Sequence, residues 1–189
     1  SVNEFIFMAV RRSNKPAEEF EPEQLLGVQE ITAATDYGLI ETGNLVDLGW
    51  QYLDGDGTKF FTRLLGEGSL NPASSADFNS SAKSKFDHMD GFEPWYANAI
   101  GNYNPRVAYG FKRQPGFFDV VVYDQPAPDT NHNLTVPPEL IITKEYKHAF
   151  DWYVWGSVLG DNKYMNLNLS APATDYTFDG SVTDKTFNS

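Results

Sequence analysis

Short apolar segments separated by turn residues recur along the whole chain. Each segment is long enough for one strand but shorter than the roughly 11 residues of a typical helix. None keeps the i, i+3, i+4, i+7 spacing of a helix face. The predicted strands cover residues 5–12, 25–32, 44–50, 59–65, 106–113, 117–124, 139–146, 151–158 and 163–170. The pattern therefore predicts an all-β fold.

Two kinds of strand are distinguished by their side-chain pattern. Residues 163–170 alternate between apolar and polar positions, which predicts a strand with its apolar face on a core. The apolar positions of this segment are Met165, Leu167 and Leu169. Residues 120–123 and 140–142 are instead apolar at every position, as expected of strands at the centre of a sheet.

Several segments recur in the same order in the second half of the chain. Residues 6–12 match residues 107–113, and both segments end on two basic residues. Further pairs follow in order: 45–46 with 140–141, 60–66 with 154–160, 77–78 with 175–176, and 86–87 with 187–188. Since the order is kept at a spacing of about 100 residues, we predict a repeated module the size of one sandwich domain.

The repeat predicts a division of the chain into three parts. Residues 1–12 are expected to be the closing strand of a preceding module, and residues 13–113 the first β-sandwich module. Residues 114–189 are expected to form a second, incomplete module, because the first copy continues past residue 87 into FDHMDGF whereas the second stops. On this interpretation the chain is a window cut at both ends from a longer tandem array.

Composition narrows the class of protein. The 189 residues are 41% hydrophobic and 15% aromatic, which suits a buried core of strands. There is no Cys, so a disulfide framework and thiolate metal sites are excluded. The net charge of −12 argues against a nucleic-acid partner, because phosphate binding needs a basic face. No apolar run approaches the roughly 18 residues of a membrane span, so membrane insertion is not expected.

Three stretches resemble a known repeated module. FKRQPGFFDVVVYD (111–124), NHNLTVPPELIITK (131–144) and DWYVWGSVLGDNKYMNLNLSAPATD (151–175) are similar to a module of large tail-associated proteins of tailed bacteriophages. The first half is similar through FIFMAVRR, LVDL, FFTRLLG and FDHMDGF, but after Arg12 it has SNKPAEEFEPEQ in place of Pro-Gly-Phe-Phe and lacks His-Asn-Leu. The resemblance implies tandem antiparallel β-sandwiches of the concanavalin-like jelly-roll type.

The resemblance also implies a role in the virion. The expected function is that of a non-enzymatic structural segment of a phage tail or tail fibre, whose partners are other copies of itself and other virion proteins. The alternative is a receptor- or glycan-binding module on the same scaffold. Its candidate ligand residues are Trp95 and Tyr96 in the loop EPWYANAIGNYNP, where an aromatic face could stack on a host surface glycan.

A third function, cleavage of a glycan, depends on a cluster of carboxylates. Glu19, Glu21 and Glu23 would share one face of a strand, and paired carboxylates are what a glycosidase needs. Pro22 interrupts that strand, and a charged strap between modules explains the cluster equally well.

The segment DGDGT suggests a Ca²⁺ site. Asp54 and Asp56 could bind the ion together with backbone carbonyls, but an EF-hand loop would need Gly at Lys59 and Glu at Leu65. Asp-Gly pairs are also hairpin-turn residues, so the turn stays open as the other interpretation. No other cofactor is expected.

The aromatic segment 152–155 is the candidate interface. On a strand, Trp152 and Val154 share one face and Tyr153 and Trp155 the other. One of these faces is expected to be core. The other is a candidate contact between modules or subunits, where aromatic side chains are common.

Overall fold

The computed structural model of the chain describes residues 4–10, 21–31, 39–53, 57–94, 106–124, 130–160, 162–175, 182–183 and 186–187. Within these residues the protein is all-β, with antiparallel strands and no α-helix, so the predicted fold class is confirmed at that level. The strands are β1 Glu4–Val10, β2 Leu26–Ile31, β3 Ile40–Glu41, β4 Leu48–Leu53, β5 Gly57–Thr62, β6 Gly91–Phe92, β7 Arg106–Phe111, β8 Phe118–Asp124, β9 Thr130–Asn131, β10 Leu140–Glu145, β11 Tyr153–Gly156, β12 Lys163–Asn166, β13 Thr174–Asp175 and β14 Thr186–Phe187.

The chain folds into two compact units. Unit 1 takes its described residues from 1–19, 73–77 and 114–189, and unit 2 takes its own from 20–72 and 78–113. The strand β1 lies in the sheet of unit 1, although unit 2 follows β1 directly along the chain. That residues 1–12 close a preceding module stays a prediction.

The described strands of unit 2 form an antiparallel sheet in the order β2-β7-β4-β5. Apolar side chains on one face of this sheet pack against the short pair β3–β6 and against Phe86, which precedes β6 along the chain. The core consists of Ile31, Ile40, Val46, Phe61, Phe86, Phe92 and Ala108. The rings of Phe86 and Phe92 are stacked with centroids 5.8 Å apart, and burial of each such side chain contributes about 2 kcal/mol.

The sheet of unit 1 has the order β8-β1-β10-β11-β12-β13 in the described residues. The short strands β9 and β14 pair separately. The buried cluster on the sheet consists of Ala9, Tyr123, Leu134 and Ile141. The continuous apolar run of β10 fits its place in the interior of this sheet. The same place was expected for β8, but β8 is the edge strand of the sheet in the described residues, although it buries residues on both faces.

The burial predicted for residues 163–170 is wrong. Met165, Leu167 and Leu169 are exposed, whereas the polar side chains between them are half-buried. The cause lies in hydrogen bonds to the backbone of Trp152. Asn168 Oδ1 accepts from Trp152 N at 2.9 Å, and Asn166 Nδ2 donates to Trp152 O at 3.3 Å. These two bonds hold the polar face inward, and the apolar face is left toward solvent.

Candidate functional site

The strand β1 lies in the interior of the unit 1 sheet, between two neighbouring strands. It pairs antiparallel with β8 along its whole length, and with β10 from Phe5 to Val10. Ala9 lies opposite Asp119 on one side and Ile141 on the other. A strand that is bonded along both edges cannot be removed without opening the sheet between β8 and β10.

Side chains of β1 fill the core of unit 1. Ala9 is 0% exposed, and Ile6 is also buried. The ring of Phe5 stacks on that of Tyr123 with centroids 5.5 Å apart and an interplanar angle of 16°. Partly buried residues around this cluster are Phe5, Val121, Val136, Trp155 and Val182. Residue 9 of β1 therefore has to be small, and the other side chains of β1 that pack on the core have to be apolar.

A buried carboxylate fixes the loop that covers β1. Asp119 accepts from the backbone N–H of Asn133 at 2.7 Å and from that of Val120 at 2.9 Å. His132 Nδ1 accepts from the backbone N–H of Leu134 at 3.2 Å, which tightens the same turn. These bonds place the fully buried Leu134 against Ala9 in the core cluster. The signal in the sequence is an Asp inside the apolar run FFDVVV, since a buried carboxylate has to be hydrogen-bonded.

The strand β7 occupies the corresponding position in unit 2. It lies between β2 and β4, as β1 lies between β8 and β10, and it is antiparallel to both neighbours. The sheet order β2-β7-β4-β5 thus repeats in unit 1 as β8-β1-β10-β11. The short pair β3–β6 has its counterpart in β9–β14. We call β7 and β1 the closing strands of units 2 and 1.

The residue rows of the two sheets agree with two of the sequence matches. One row of unit 2 runs Gly27, Gly110, Gly49, Phe61, and the corresponding row of unit 1 runs Asp119, Ala9, Ile141, Trp155. When Gly110 is set in the place of Ala9, as the first match requires, Phe61 takes the place of Trp155, as the match of 60–66 with 154–160 predicts. The match of 45–46 with 140–141 would set Val46 in the place of Ile141. In the rows, however, the residue in that place is Gly49.

Three glycines cross the sheet of unit 2 in one row. A Cβ at Gly27 would lie 1.8 Å from the carbonyl oxygen of Thr42, and one at Gly49 would lie 2.6 Å from the ring of Phe92. At Gly110 a Cβ would lie 2.5 Å from Thr42 Oγ1. The glycine row lets Thr42 and Phe92 pack directly on the sheet.

We expect Gly27→Ala to lower the free energy of unfolding by about 2–3 kcal/mol. The added methyl meets a backbone carbonyl, which cannot rotate away as a side-chain end can. Urea denaturation followed by circular dichroism measures the change. Gly156→Ala is the matched control, because a Cβ there would only make an ordinary contact at 3.5 Å. An equal effect of the two substitutions would contradict the close packing at Gly27.

A buried lysine lies near the end of β10 in unit 1. The side chain of Lys144 is 0% exposed, and its Nζ donates to the carbonyl oxygens of Glu145 and His148, the latter at 3.1 Å. The Glu145 carboxylate pairs with His148 Nδ1. Burial lowers the pKa of Lys144 below its ordinary value of 10.5, whereas Glu145, Asp77 and Asp151 act to raise it. The hydrogen bonds of Lys144 tie the turn after β10, which is a structural role.

The lowered pKa of Lys144 predicts a pH dependence of stability. Below the folded-state pKa, both states hold the proton and the cost of burying the charge is fully present. Between that pKa and 10.5 the unfolded state binds a proton that the folded state lacks, so stability rises with pH. Urea denaturation from pH 7 to pH 10.5 should show this rise relative to Lys144→Met. Parallel curves for the two proteins would contradict it.

A second charged group lies directly after β6 in unit 2. Glu93 pairs with Lys85 at 2.9 Å and with His88 Nε2 at 2.8 Å. Hydrogen bonds from Lys85 and His88 lower the pKa of the Glu93 carboxyl. The three side chains are partly exposed, so the cluster has the character of a surface ion-pair network.

The three candidate interface aromatics have different environments. Trp152 is 3% exposed and its backbone is held by Asn166 and Asn168. Tyr153 is 37% exposed and meets Tyr164 edge to face, with centroids 5.3 Å apart. Trp155 is half-buried against the cluster that contains Ala9. Tyr153 is therefore the one of the three with a large exposed surface, and a role of these residues in an interface stays a prediction.

The other candidate residues are not brought together by the described structure. The ligand candidates Trp95 and Tyr96, the Ca²⁺ candidates Asp54 and Asp56, and Glu19 lie outside the described residues. Glu21 and Glu23 are exposed, and Pro22–Gln24 forms a 3-10 turn where a shared strand face would be needed. Across the described ranges, no group of three or more His, Cys, Asp or Glu side chains is placed to hold a metal ion.

Comparison with protein-family models, curated proteins and solved structures finds no match for this chain. In the described part of the chain, no helix has the length and apolar character needed to cross a membrane. The fold and the closing strands are therefore the basis for a functional proposal, and the resemblance to phage tail modules stays a prediction.

Proposed function

We propose that the chain is a non-enzymatic structural segment of a bacteriophage tail or tail fibre, built from tandem β-sandwich modules. The observation that carries the proposal is the repeated strand arrangement, β2-β7-β4-β5 in unit 2 and β8-β1-β10-β11 in unit 1. Proteins made of repeated modules build long assemblies from one packing solution, which suits a tail or a fibre. The virion is the proposed location.

The residues that carry the resemblance to tail modules support a structural role. Phe118, Val120 and Ile141 lie in the resembling stretches, and all three are buried in unit 1. In FFTRLLG, Arg63 donates to the carbonyl oxygen of Val46 at 2.8 Å and to that of Phe86. The shared residues hold strands and loops together, so they argue for a fold and give no chemistry of their own.

Exposed apolar residues support contacts with other proteins. In unit 1 they gather in a short stretch of the chain after β10. These residues are Phe150, Val158, Met165, Leu167 and Leu169, with Val158 93% exposed. Contacts with other copies of the chain and other virion proteins would cover these exposed side chains.

Immunoelectron microscopy tests the proposal. Antibodies raised against the purified chain should label the tails of intact virions of the phage that encodes it, and absorption of the antibodies with the chain should remove the label. Labelling confined to capsids, or detection of the protein in infected cells but never in purified virions, would contradict the proposed function.

A further inference from the structure

We propose that the position of β1 in unit 1 accepts the β1 of a second copy of the chain, so that copies join head to tail by exchanging this strand. The inference deepens the structural role above and rests on it. It assigns an interaction surface, the facing edges of β8 and β10, and it names one partner, the strand Glu4–Val10 of another copy.

The geometry of the position defines what can fill it. Without β1, the strands Phe118–Asp124 and Leu140–Glu145 present two backbone edges that face a gap one strand wide. Unpaired edges of this kind bind an added strand through main-chain hydrogen bonds, while the side-chain pockets select the sequence. Both edges are antiparallel to the strand between them, so the gap also fixes its direction.

The pockets of the position select a sequence like that of β1. The row through Asp119 and Ile141 needs a small residue, because Ala9 is fully buried there. An aromatic residue has to stack on Tyr123, as Phe5 does. In the corresponding row of unit 2 the closing strand carries Gly110, which is also small. The β1 of a second copy meets every requirement, since it is the same sequence.

The connection of β1 to its sheet allows the position to be filled either by the chain's own β1 or by the β1 of a second copy. Residues of unit 2 separate β1 from β8 along the chain, so the strand reaches its own unit 1 only through a long closure. The advantage of the own strand is then one of effective concentration, which is set by the length and stiffness of the connection. In a fibre, where copies are held close together, the strand of a neighbour can make the same contacts with β8 and β10.

The exchange has a direction. Each copy offers one β1 and one position for it, so the contact is between different surfaces of the two copies. Contacts of this kind build open, linear assemblies when they do not close into a ring. The result expected of the exchange is therefore a chain of copies, which matches the proposed place in a tail or fibre.

Cysteine pairs in the full-length chain test the exchange, since the natural sequence has no Cys. Met8 lies opposite Val120 in the register of β1 and β8. Chains with Met8→Cys and chains with Val120→Cys are mixed, unfolded, refolded together at high concentration and oxidised. We expect a disulfide-linked dimer at twice the 21.2 kDa of one chain. Mass spectrometry should identify a cross-link between the peptides that carry the two substitutions.

The matched control replaces Val120→Cys by Val154→Cys. Val154 lies in the same row, opposite Ile142, which is itself opposite Met8. It is thus two strands from β1, about 10 Å away and beyond the reach of a disulfide. The yield of disulfide-linked dimer from the mixture of Met8→Cys and Val120→Cys chains should clearly exceed the yield from the control mixture.

Two outcomes would overturn the proposal. In the first, the mixture gives no more dimer than the control, while Met8→Cys and Val120→Cys in one chain form a disulfide within that chain; the position is then filled permanently by its own strand. In the second, the double variant forms no such disulfide, and β1 does not occupy the position. Neither outcome affects the tail labelling that tests the proposed function, so the two failures can be told apart.

Discussion

Ala9→Glu should lower the free energy of unfolding by about 4 kcal/mol or more. Ala9 is 0% exposed on an interior strand of the unit 1 sheet, between Asp119 and Ile141. A glutamate there places its charge in an apolar cluster beside another buried carboxylate, and it overfills a site shaped for a methyl group. Urea denaturation followed by circular dichroism measures the loss.

Val28→Glu is the control for this substitution. Val28 also lies on a strand, β2, but it is 56% exposed, so a carboxylate remains in water. We expect the control to change the stability by less than about 1 kcal/mol. If Ala9→Glu changed the stability as little as Val28→Glu does, β1 would not be buried between β8 and β10, and the account of the closing strands would be wrong.

Trp152→Ala should lower the free energy of unfolding by about 3–5 kcal/mol, the range for removal of a buried Trp side chain. The side chain is 3% exposed, and a large cavity would replace it. The hydrogen bonds from Asn166 and Asn168 reach the backbone of Trp152, so they survive the substitution and the loss reports the packing of the side chain. Thermal and urea denaturation both measure the effect.

Tyr153→Ala, at the next residue, is the matched comparison. Tyr153 is 37% exposed and makes an edge-to-face pair with Tyr164 in unit 1. We expect this substitution to lower the free energy of unfolding of the isolated chain by about 1 kcal/mol. A larger loss than that of Trp152→Ala would contradict the environments of the two side chains. If Tyr153 serves an interface, its substitution should weaken assembly more than it weakens folding.

The fold class could be predicted from the sequence because its signals are local. Each predicted strand overlaps a strand of the structure, since short apolar runs bounded by turn residues are typical of strands. The repeat also predicted that Phe61 takes the place of Trp155 when Gly110 is set in the place of Ala9, and the two registers agree with it. The tandem concanavalin-like sandwich is a finer prediction that belongs to the proposed function.

Other features depend on contacts that a local pattern does not contain. The short strands β3, β6, β9, β13 and β14 have two residues each, too few for any periodicity. The outward apolar face of β12 results from hydrogen bonds that Asn166 and Asn168 make to Trp152, far away in the pattern. The place of β1 between β8 and β10 is a long-range pairing, which a repeat can suggest but cannot establish.

The candidate sites were harder to predict than the fold. Asp119 and Lys144 are buried polar residues with structural roles, and a polar residue in an apolar run was the available signal. The interface prediction assigned Trp152 to one face of a strand and both Tyr153 and Trp155 to the other, yet Tyr153 is exposed whereas Trp155 packs against the core cluster. Trp152 lies just before β11 begins, and the cover of each side chain depends on neighbouring elements, which strand alternation does not contain.

Native-state hydrogen exchange, measured by NMR amide by amide, tests the closing strands most directly. If β1 lies between β8 and β10, the amides of residues 5–10 are all bonded within a sheet interior and should exchange only with global unfolding of unit 1. The amides of β7 should be protected in the same way in unit 2. Exchange of the β1 amides at the rate of an open chain, while β8 and β10 stay protected, would contradict the account.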